Sequence, residues 1–320
     1  MKKMKWLKVV VFGCAMVMFS ACDNSDEPMG KGEVDFEITD APSDDASIKG
    51  VIVTIADIKV NGQSVSGFSK QTIDLKAYQE GNTKLLGSTT LDSKTYSNVT
   101  LVLDLDTDAN GNSPGCYVLT QDDLKFKLKN TNNGKYEVNI NNSWTVAKNV
   151  KNKVVMDFDL RKSIRYSDDV NVRYSFVSDN NMNGALRLVV KERAGTIKGS
   201  YKEDQSTNAD RIIVYAYKKG TFNASVETQP QSVDNIYFKN AVTSAEVKAS
   251  LTDHVYTLAL LEEGEYELHF AVYSKDAATG KFMFEAMLQS ETSVNGSVGS
   301  IVKITGGATI NIATTIKGVI

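Results

Sequence analysis

Beyond residue 33, apolar and polar residues alternate with a period of two through most of the chain, and that pattern favours strands over helices. Val34, Phe36 and Ile38 alternate with Asp35, Glu37 and Thr39, which predicts a half-buried strand. Val51, Val53 and Ile55 repeat the pattern and Ile58 and Val60 continue it; Asn61-Gly62 then supplies a turn that favours positive φ. Val99, Leu101 and Leu103 mark another strand, as do Val154, Met156 and Phe158. Later strands are predicted over 212–217, 255–261, 266–273 and 310–316. The best helical signal covers 73–86, but Gly81-Asn82 interrupts it, leaving room for one short turn at most. The expected fold is all-β, mainly antiparallel, with two β-sandwich domains in tandem. The expected boundary is Arg193-Ala194-Gly195, which divides the chain into 32–194 and 195–320.

The start of the chain has a different character. Lys2, Lys3, Lys5 and Lys8 precede an apolar run over 9–19, which is shorter than the roughly 20 residues of a spanning helix. Charge, length and the small residues that follow fit a signal peptide over 1–21. Phe19-Ser20-Ala21-Cys22 resembles the lipobox of bacterial lipoproteins, which implies acylation of the Cys22 thiol and cleavage just before it. Residues 22–31 then form an acidic tether. Its Asp23-Asn24-Ser25-Asp26-Glu27 cluster resembles the surface-export signal of lipoproteins from the Bacteroidota, and it also suits a plain solvated linker. These features together imply an outer-membrane protein held by its lipid and facing the cell exterior.

Charge and cysteine content narrow the function classes. Loss of 1–21 removes four lysines and no acid, moving the formal charge from −3 to −7 and arguing against a nucleic-acid partner. Of the three cysteines, Cys14 leaves with the leader and Cys22 takes the lipid. Cys116 alone makes neither an internal disulfide nor a structural zinc site.

Separated segments resemble a known family. They are the run 35–42 with Val51-Ile52-Val53-Thr54-Ile55, then Ile73-Asp74-Leu75, Tyr96-Ser97-Asn98-Val99-Thr100-Leu101, and Asp157-Phe158-Asp159-Leu160-Arg161-Lys162-Ser163. In this order they are similar to domain-of-unknown-function family 4382, over residues 32–194. The resemblance implies an exported β-sandwich-like module with no established activity. Gly195-Thr196-Ile197-Lys198-Gly199, Ile213-Val214-Tyr215-Ala216-Tyr217 and the run 261–268 look like a transthyretin-like or carboxypeptidase-regulatory-like sandwich.

Few residues suggest chemistry. Asp104, Asp106, Asp108 and Asn110, followed by Gly111, resemble the start of a calcium loop, in which hard oxygen ligands converge on one ion. The closing position falls on Tyr117, which carries no carboxylate, so Asp122 or Asp123 would have to fold back to complete a site; otherwise this is a solvated hairpin loop. Apart from that loop, no cofactor is implied. Asp157 and Asp159 share one strand face, roughly 7 Å apart, the separation of a hydrolase pair; Arg161-Lys162 also suits a neutralised structural cluster. His254 and His269 lack a nucleophile motif beside them. Trp144, flanked by Asn139, Asn141, Asn142 and Ser143, is a candidate sugar platform or a core tryptophan.

The sequence therefore points to a non-enzymatic envelope lipoprotein acting in binding, adhesion or assembly through a protein or glycan partner. The alternatives are a fimbrial subunit or basal anchor and a carbohydrate-binding lipoprotein. Arginine-specific maturation, typical of such fimbrial subunits, has no site before Arg161.

Overall fold

The computed structural model describes residues 30–41, 47–130, 134–169, 171–251, 253–278 and 280–320; the leader, Cys22 and most of the tether lie outside them. The first alternating segment forms the strand Lys31–Ala41. It lies inside a four-stranded sheet whose order is Leu186–Val190, Lys151–Asp159, Lys31–Ala41, Lys84–Asp92. Its pairing with Lys151–Asp159 is parallel, with Phe36 opposite Val154 and Ala41 opposite Asp159. This register puts Val34, Phe36, Ile38, Val154, Met156 and Phe158 on one face, all at 0% exposure. A seven-stranded sheet built around Ile48–Val60 covers that face and adds Val51, Val53, Ile55, Leu101, Leu103 and Val118 to the same core. Two layers packed this way are a sandwich. Asn61 and Gly62 take φ of 46° and 80°, the turn that their identities favour.

The reading of Lys31–Ala41 as half-buried does not hold. Asp35, Glu37 and Thr39 are only 5%, 7% and 2% exposed. Their strand is interior, so neighbouring elements supply partners. Ser88 donates to Asp35, Thr83 and Lys191 to Glu37, and the Thr39 hydroxyl donates to the carbonyls of Tyr78 and Asn82. A buried polar group with a satisfied hydrogen bond is tolerated, so alternation reports the pleat correctly while saying nothing about water.

From Ala194 onward the strands join one ten-stranded sheet. Its pairs are antiparallel except Ala194–Glu203 against Thr309–Val319, which is parallel. Ile197, Val214, Leu258, Phe270 and Ile312 come from different strands yet share one cluster, so the sheet curls around them in a barrel-like manner. The other face of Arg211–Lys218 and Gly264–Lys275 carries Ile213, Tyr215, Tyr217, Ala271 and Tyr273. The excursion over 219–242 roofs these aromatics with Phe238 and Ala241.

Helical pieces are short. Leu75–Ala77 is a single turn capped by Asp74, in the region where one turn is predicted, and Leu160–Ser163 and Asp179–Ala185 are additional. No helix among the described residues is long and apolar enough to cross a membrane. The strand Phe282–Val294 escaped sequence analysis because its burial does not alternate: Met287 and Leu288 are buried side by side while Met283 is 56% exposed. Val155 and Val189 of the four-stranded sheet pack on Ala194 and Leu260, joining the N-terminal sandwich to the C-terminal sheet.

Phe158→Ala is expected to lower unfolding free energy by about 3–5 kcal/mol in a denaturant titration, the cost of a cavity at a closed site. Leu251→Ala, at a residue 103% exposed, is expected to stay within about 0.5 kcal/mol of the parent.

Candidate functional site

The Asp-Phe-Asp-Leu-Arg-Lys-Ser segment lies in the contact between the two halves and brings two buried cations to it. Along Lys151–Asp159, Val154, Met156 and Phe158 face the sandwich core, so Val155, Asp157 and Asp159 must face the other way. That second face meets the C-terminal sheet. Asp157 is 4% exposed, and its Oδ2 accepts from Arg187 Nε at 2.8 Å and pairs with Nη2 at 2.6 Å. The same guanidinium donates through Nη1 to the Leu260 carbonyl at 2.7 Å.

Asp159 ends the strand and starts a helical turn. Its Oδ1 accepts from the Arg161 amide at 3.1 Å, capping Leu160–Ser163. Its Oδ2 pairs with Arg161 Nη2 at 3.0 Å and with Lys162 Nζ at 3.4 Å. Arg161 Nη1 then donates to the carbonyls of Tyr237, at 2.5 Å, and Phe238, at 3.0 Å. Its guanidinium carbon lies 5.4 Å from the centre of the Tyr215 ring, which stacks on Phe238 at 4.1 Å. Lys162 Nζ donates to the Ala241 carbonyl at 2.6 Å, and burial pulls its ammonium down to about 8. The motif therefore plugs two cations into the excursion that roofs the aromatic face.

Asp40 lies beside this pair, fully buried. Burial pushes its carboxyl well above the ordinary range, and the charges of Asp159 and Asp157 add to the effect. Gln79 Nε2 and the Leu160 amide donate to it at 2.9 and 3.2 Å. The adjoining cavity, lined by Thr39, Asp40, Asp157, Thr243, Ser244 and Leu260, holds about 20 Å³, too little for an organic substrate.

A second polar group crosses the contact nearby. Ser178 donates its amide and hydroxyl to Asp234 Oδ2 at 3.0 and 2.7 Å, leaving the helix Asp179–Ala185 without a side-chain cap. Asn181 Nδ2 donates to Asp234 and to Ser232, and Lys239 Nζ donates to Asn181 Oδ1 at 2.7 Å. Burial works to raise the Asp234 carboxyl, but the hydrogen bonds from Asn181 and Ser178 outweigh it and hold the group below its ordinary value.

The residues singled out by sequence analysis do not assemble into one site. Asp104 accepts from the amides of Asp106 and Thr107 and pairs with Lys70 at 2.8 Å. Asp106 pairs with Lys127 at 2.8 Å, while Asp108 accepts from the amides of Asn110 and Asn112. Asp122 and Asp123 turn to Thr120 and Lys49. These carboxylates are engaged by their own loop or by lysines, and no described group of three or more His, Cys, Asp or Glu is placed to share a metal ion. Trp144 is 3% exposed, stacked 5.0 Å from Tyr96 and edge-on to Phe36 at 6.1 Å, which puts the indole in the core. Cys116 is also in the core, and burial pushes its thiol up to about 12. His269 stacks on Phe222 at 3.6 Å, and burial lowers its pKa. His254 lies at the exposed start of its strand.

Sequence reasoning noticed Asp157, Asp159, Arg161 and Lys162 but missed Asp40, Arg187, Asn181, Asp234 and Lys239. Asp40 and Arg187 lie on strands already paired with the motif, yet nothing in their local sequence marks them as buried. The last three belong to a helix and a loop without periodicity.

Residues 31–178 match the family model described as Domain of unknown function (DUF4382). No curated protein matches the chain at a significant level. Among solved structures, a leucine-rich repeat protein from Bacteroides thetaiotaomicron is 14% identical with a TM-score of 0.23; the alignment covers 89% of this chain and 26% of that one. This chain thus spans about a quarter of that protein's length. The major pilin protein T-13 from Streptococcus pyogenes is 11% identical, with 90% and 97% covered and a TM-score of 0.20. The major pilin subunit of Bacillus cereus is 10% identical, with 91% and 70% covered and a TM-score of 0.22.

Arg161→Ala is expected to destabilise the protein by about 3–5 kcal/mol, because Asp159 then stays buried without its main counter-charge. Limited proteolysis should accelerate within 219–242 in that variant. For Asp40 the pH sign is the reverse of a salt-bridged acid: above the ordinary carboxyl pKa the unfolded chain releases a proton that the native state keeps, so stability falls as pH rises. Asp40→Asn is therefore expected to raise stability at neutral pH and flatten this fall, read from thermal unfolding at stepped pH. An unchanged pH profile would contradict the raised carboxyl pKa at Asp40.

Proposed function

We propose that this protein is a non-enzymatic cell-envelope lipoprotein, anchored through Cys22 to the outer membrane and facing the exterior, that acts in binding, adhesion or assembly. The observation that carries this reading is the fate of Asp157 and Asp159. As a bare pair on one strand face they suit acid–base hydrolysis, but each is committed to an arginine whose other N–H groups hold carbonyls of the C-terminal half. Polar groups placed this way fix how two β units meet, which suits a part that must present a surface at a defined geometry. The lipobox-like Phe19-Ser20-Ala21-Cys22 and the acidic residues after it support the anchor and its exposure. Two acyl chains suffice to hold a protein on a bilayer stably.

The fimbrial alternative is favoured only in its basal-anchor form. Arg161, the first arginine, is 8% exposed and held in the contact, so an arginine-specific protease has little access to it in the folded protein.

Cys22→Ala is expected to abolish incorporation of labelled fatty acid and to release the protein from the membrane fraction. Protease added to intact cells should digest the parent protein; protection until lysis would place it on the inner side of the membrane and overturn the exterior assignment. Hydrolytic turnover lost in Asp157→Asn would overturn the non-enzymatic reading.

A further inference from the structure

The group Lys239–Asn181–Asp234 contains what an amide-forming reaction needs: an amine, a carboxamide and a carboxylate seated on the nitrogen that would leave. Lys239 Nζ lies 2.7 Å from Asn181 Oδ1, so the amine is already at the carboxamide and needs only to move from its oxygen to the face of Cγ. Asn181 cannot easily turn away, because both hydrogens of Nδ2 are taken by Ser232 Oγ and Asp234 Oδ2. Asp234 is fixed in turn by the amide and hydroxyl of Ser178. Asn181 and Asp234 are 8% and 9% exposed, and Lys239 is partly buried. Asn181 comes from the helix Asp179–Ala185 in the N-terminal half, while Asp234 and Lys239 come from the excursion of the C-terminal half.

We infer that Lys239 and Asn181 are joined by a spontaneous side-chain amide bond that links the two halves covalently, with Asp234 as the proton-transfer group. In this reaction the Lys239 ammonium gives one proton to water, and its free amine attacks Asn181 Cγ. The Nζ–Cγ bond forms, which brings Nζ beside Nδ2, and Asp234, seated on Nδ2, passes a proton from Nζ to Nδ2. The Cγ–Nδ2 bond then breaks, and the ammonia released takes up the proton first given to water. Overall, a lysine ammonium and a carboxamide give a secondary amide and one ammonium ion, so atoms and charge balance without an oxidant, a cofactor or an energy source. One amide replaces another, and the reaction is drawn forward because ammonia is lost to dilute solution. Held reactants gain effective molarities of roughly 10⁵ M or more, which makes an otherwise slow aminolysis accessible over the life of a protein. An amine held against an oriented electrophile, with a carboxylate on the leaving nitrogen, places nucleophile and proton carrier on either side of Cγ.

This inference goes beyond the reading of an anchored binding protein and does not depend on it. Its test is a tryptic digest of the native full chain, analysed by mass spectrometry. If the bond forms, trypsin does not cut after Lys239, and the peptide Gly220–Lys248 is recovered branched to Tyr174–Arg187 with the loss of one ammonia. Lys239→Arg and Asn181→Ala should each abolish the branched species, and Asp234→Asn should reduce it by at least about tenfold at matched age. The branch also separates this product from cyclisation of Asn181 alone, which loses the same ammonia but leaves Lys239 cleavable. Recovery of Tyr174–Arg187 and Gly220–Lys239 only as separate peptides from folded protein would overturn the inference. So would persistence of the same branch in Lys239→Arg.

Discussion

A guanidinium buried where two β units meet is costly, and much of this structure is organised around meeting that cost at Arg161. Removing such a cation from water costs several kcal/mol even after the protein relaxes. Arg161 recovers it from three directions at once: the Asp159 carboxylate, the carbonyls of Tyr237 and Phe238, and the face of Tyr215. These partners come from a strand end, a loop and a distant strand. The contact therefore draws on all three segments at once. Arg187 repeats the logic on a smaller scale, shared between Asp157 and the Leu260 carbonyl.

The same economy explains why the acids of one strand differ so much. Burial works against the charged form of Asp35 and Glu37, but Ser88 with Lys151, and Lys191 with Thr83, outweigh it and keep both carboxyls below their ordinary values. No cation among the described residues pairs with Asp40. Asp40 receives hydrogen bonds from Gln79 and Leu160, but burial and the field of Asp159 and Asp157 push its carboxyl well above the ordinary range. Stability at neutral pH thus reflects opposed contributions, with Asp35 and Glu37 favouring the ionised native state and Asp40 opposing it. Carboxylates that look interchangeable in sequence are set apart by which neighbour the sheet brings to each.

Much of the fold was legible in the sequence because strand pattern is a local property. The alternation of Val34, Phe36 and Ile38 marks a strand wherever that strand ends up, and Asn61-Gly62 favours its turn regardless of context. Strands without that pattern were missed, Phe282–Val294 among them, because sheet position and not sequence period decides their burial. The contact between the halves was visible only in part. Asp157, Asp159, Arg161 and Lys162 lie within a few residues and declare a charge cluster. Their partners lie 30 residues away at Arg187 and 76 or more at Tyr237, Phe238 and Ala241, and three of these contribute only backbone carbonyls. A carbonyl has no sequence signature. Trp144 shows the converse: asparagines beside an aromatic residue suggest a sugar site until Tyr96 and Phe36 are seen to enclose the ring.

By itself, then, the sequence determined that this chain is a β protein, which faces of its strands are apolar, and that a dense charged motif ends one of the inner strands. Those facts follow from side-chain period and composition, which no later packing alters. Tertiary structure alone decided that the polar face of Lys31–Ala41 is dry and that burial pushes the Asp40 carboxyl well above its ordinary range. It also decided that the motif's cations serve a contact, and that Lys239 meets Asn181 beside Asp234. Each of these depends on what a second, distant segment places opposite a residue, and a local pattern carries no record of that.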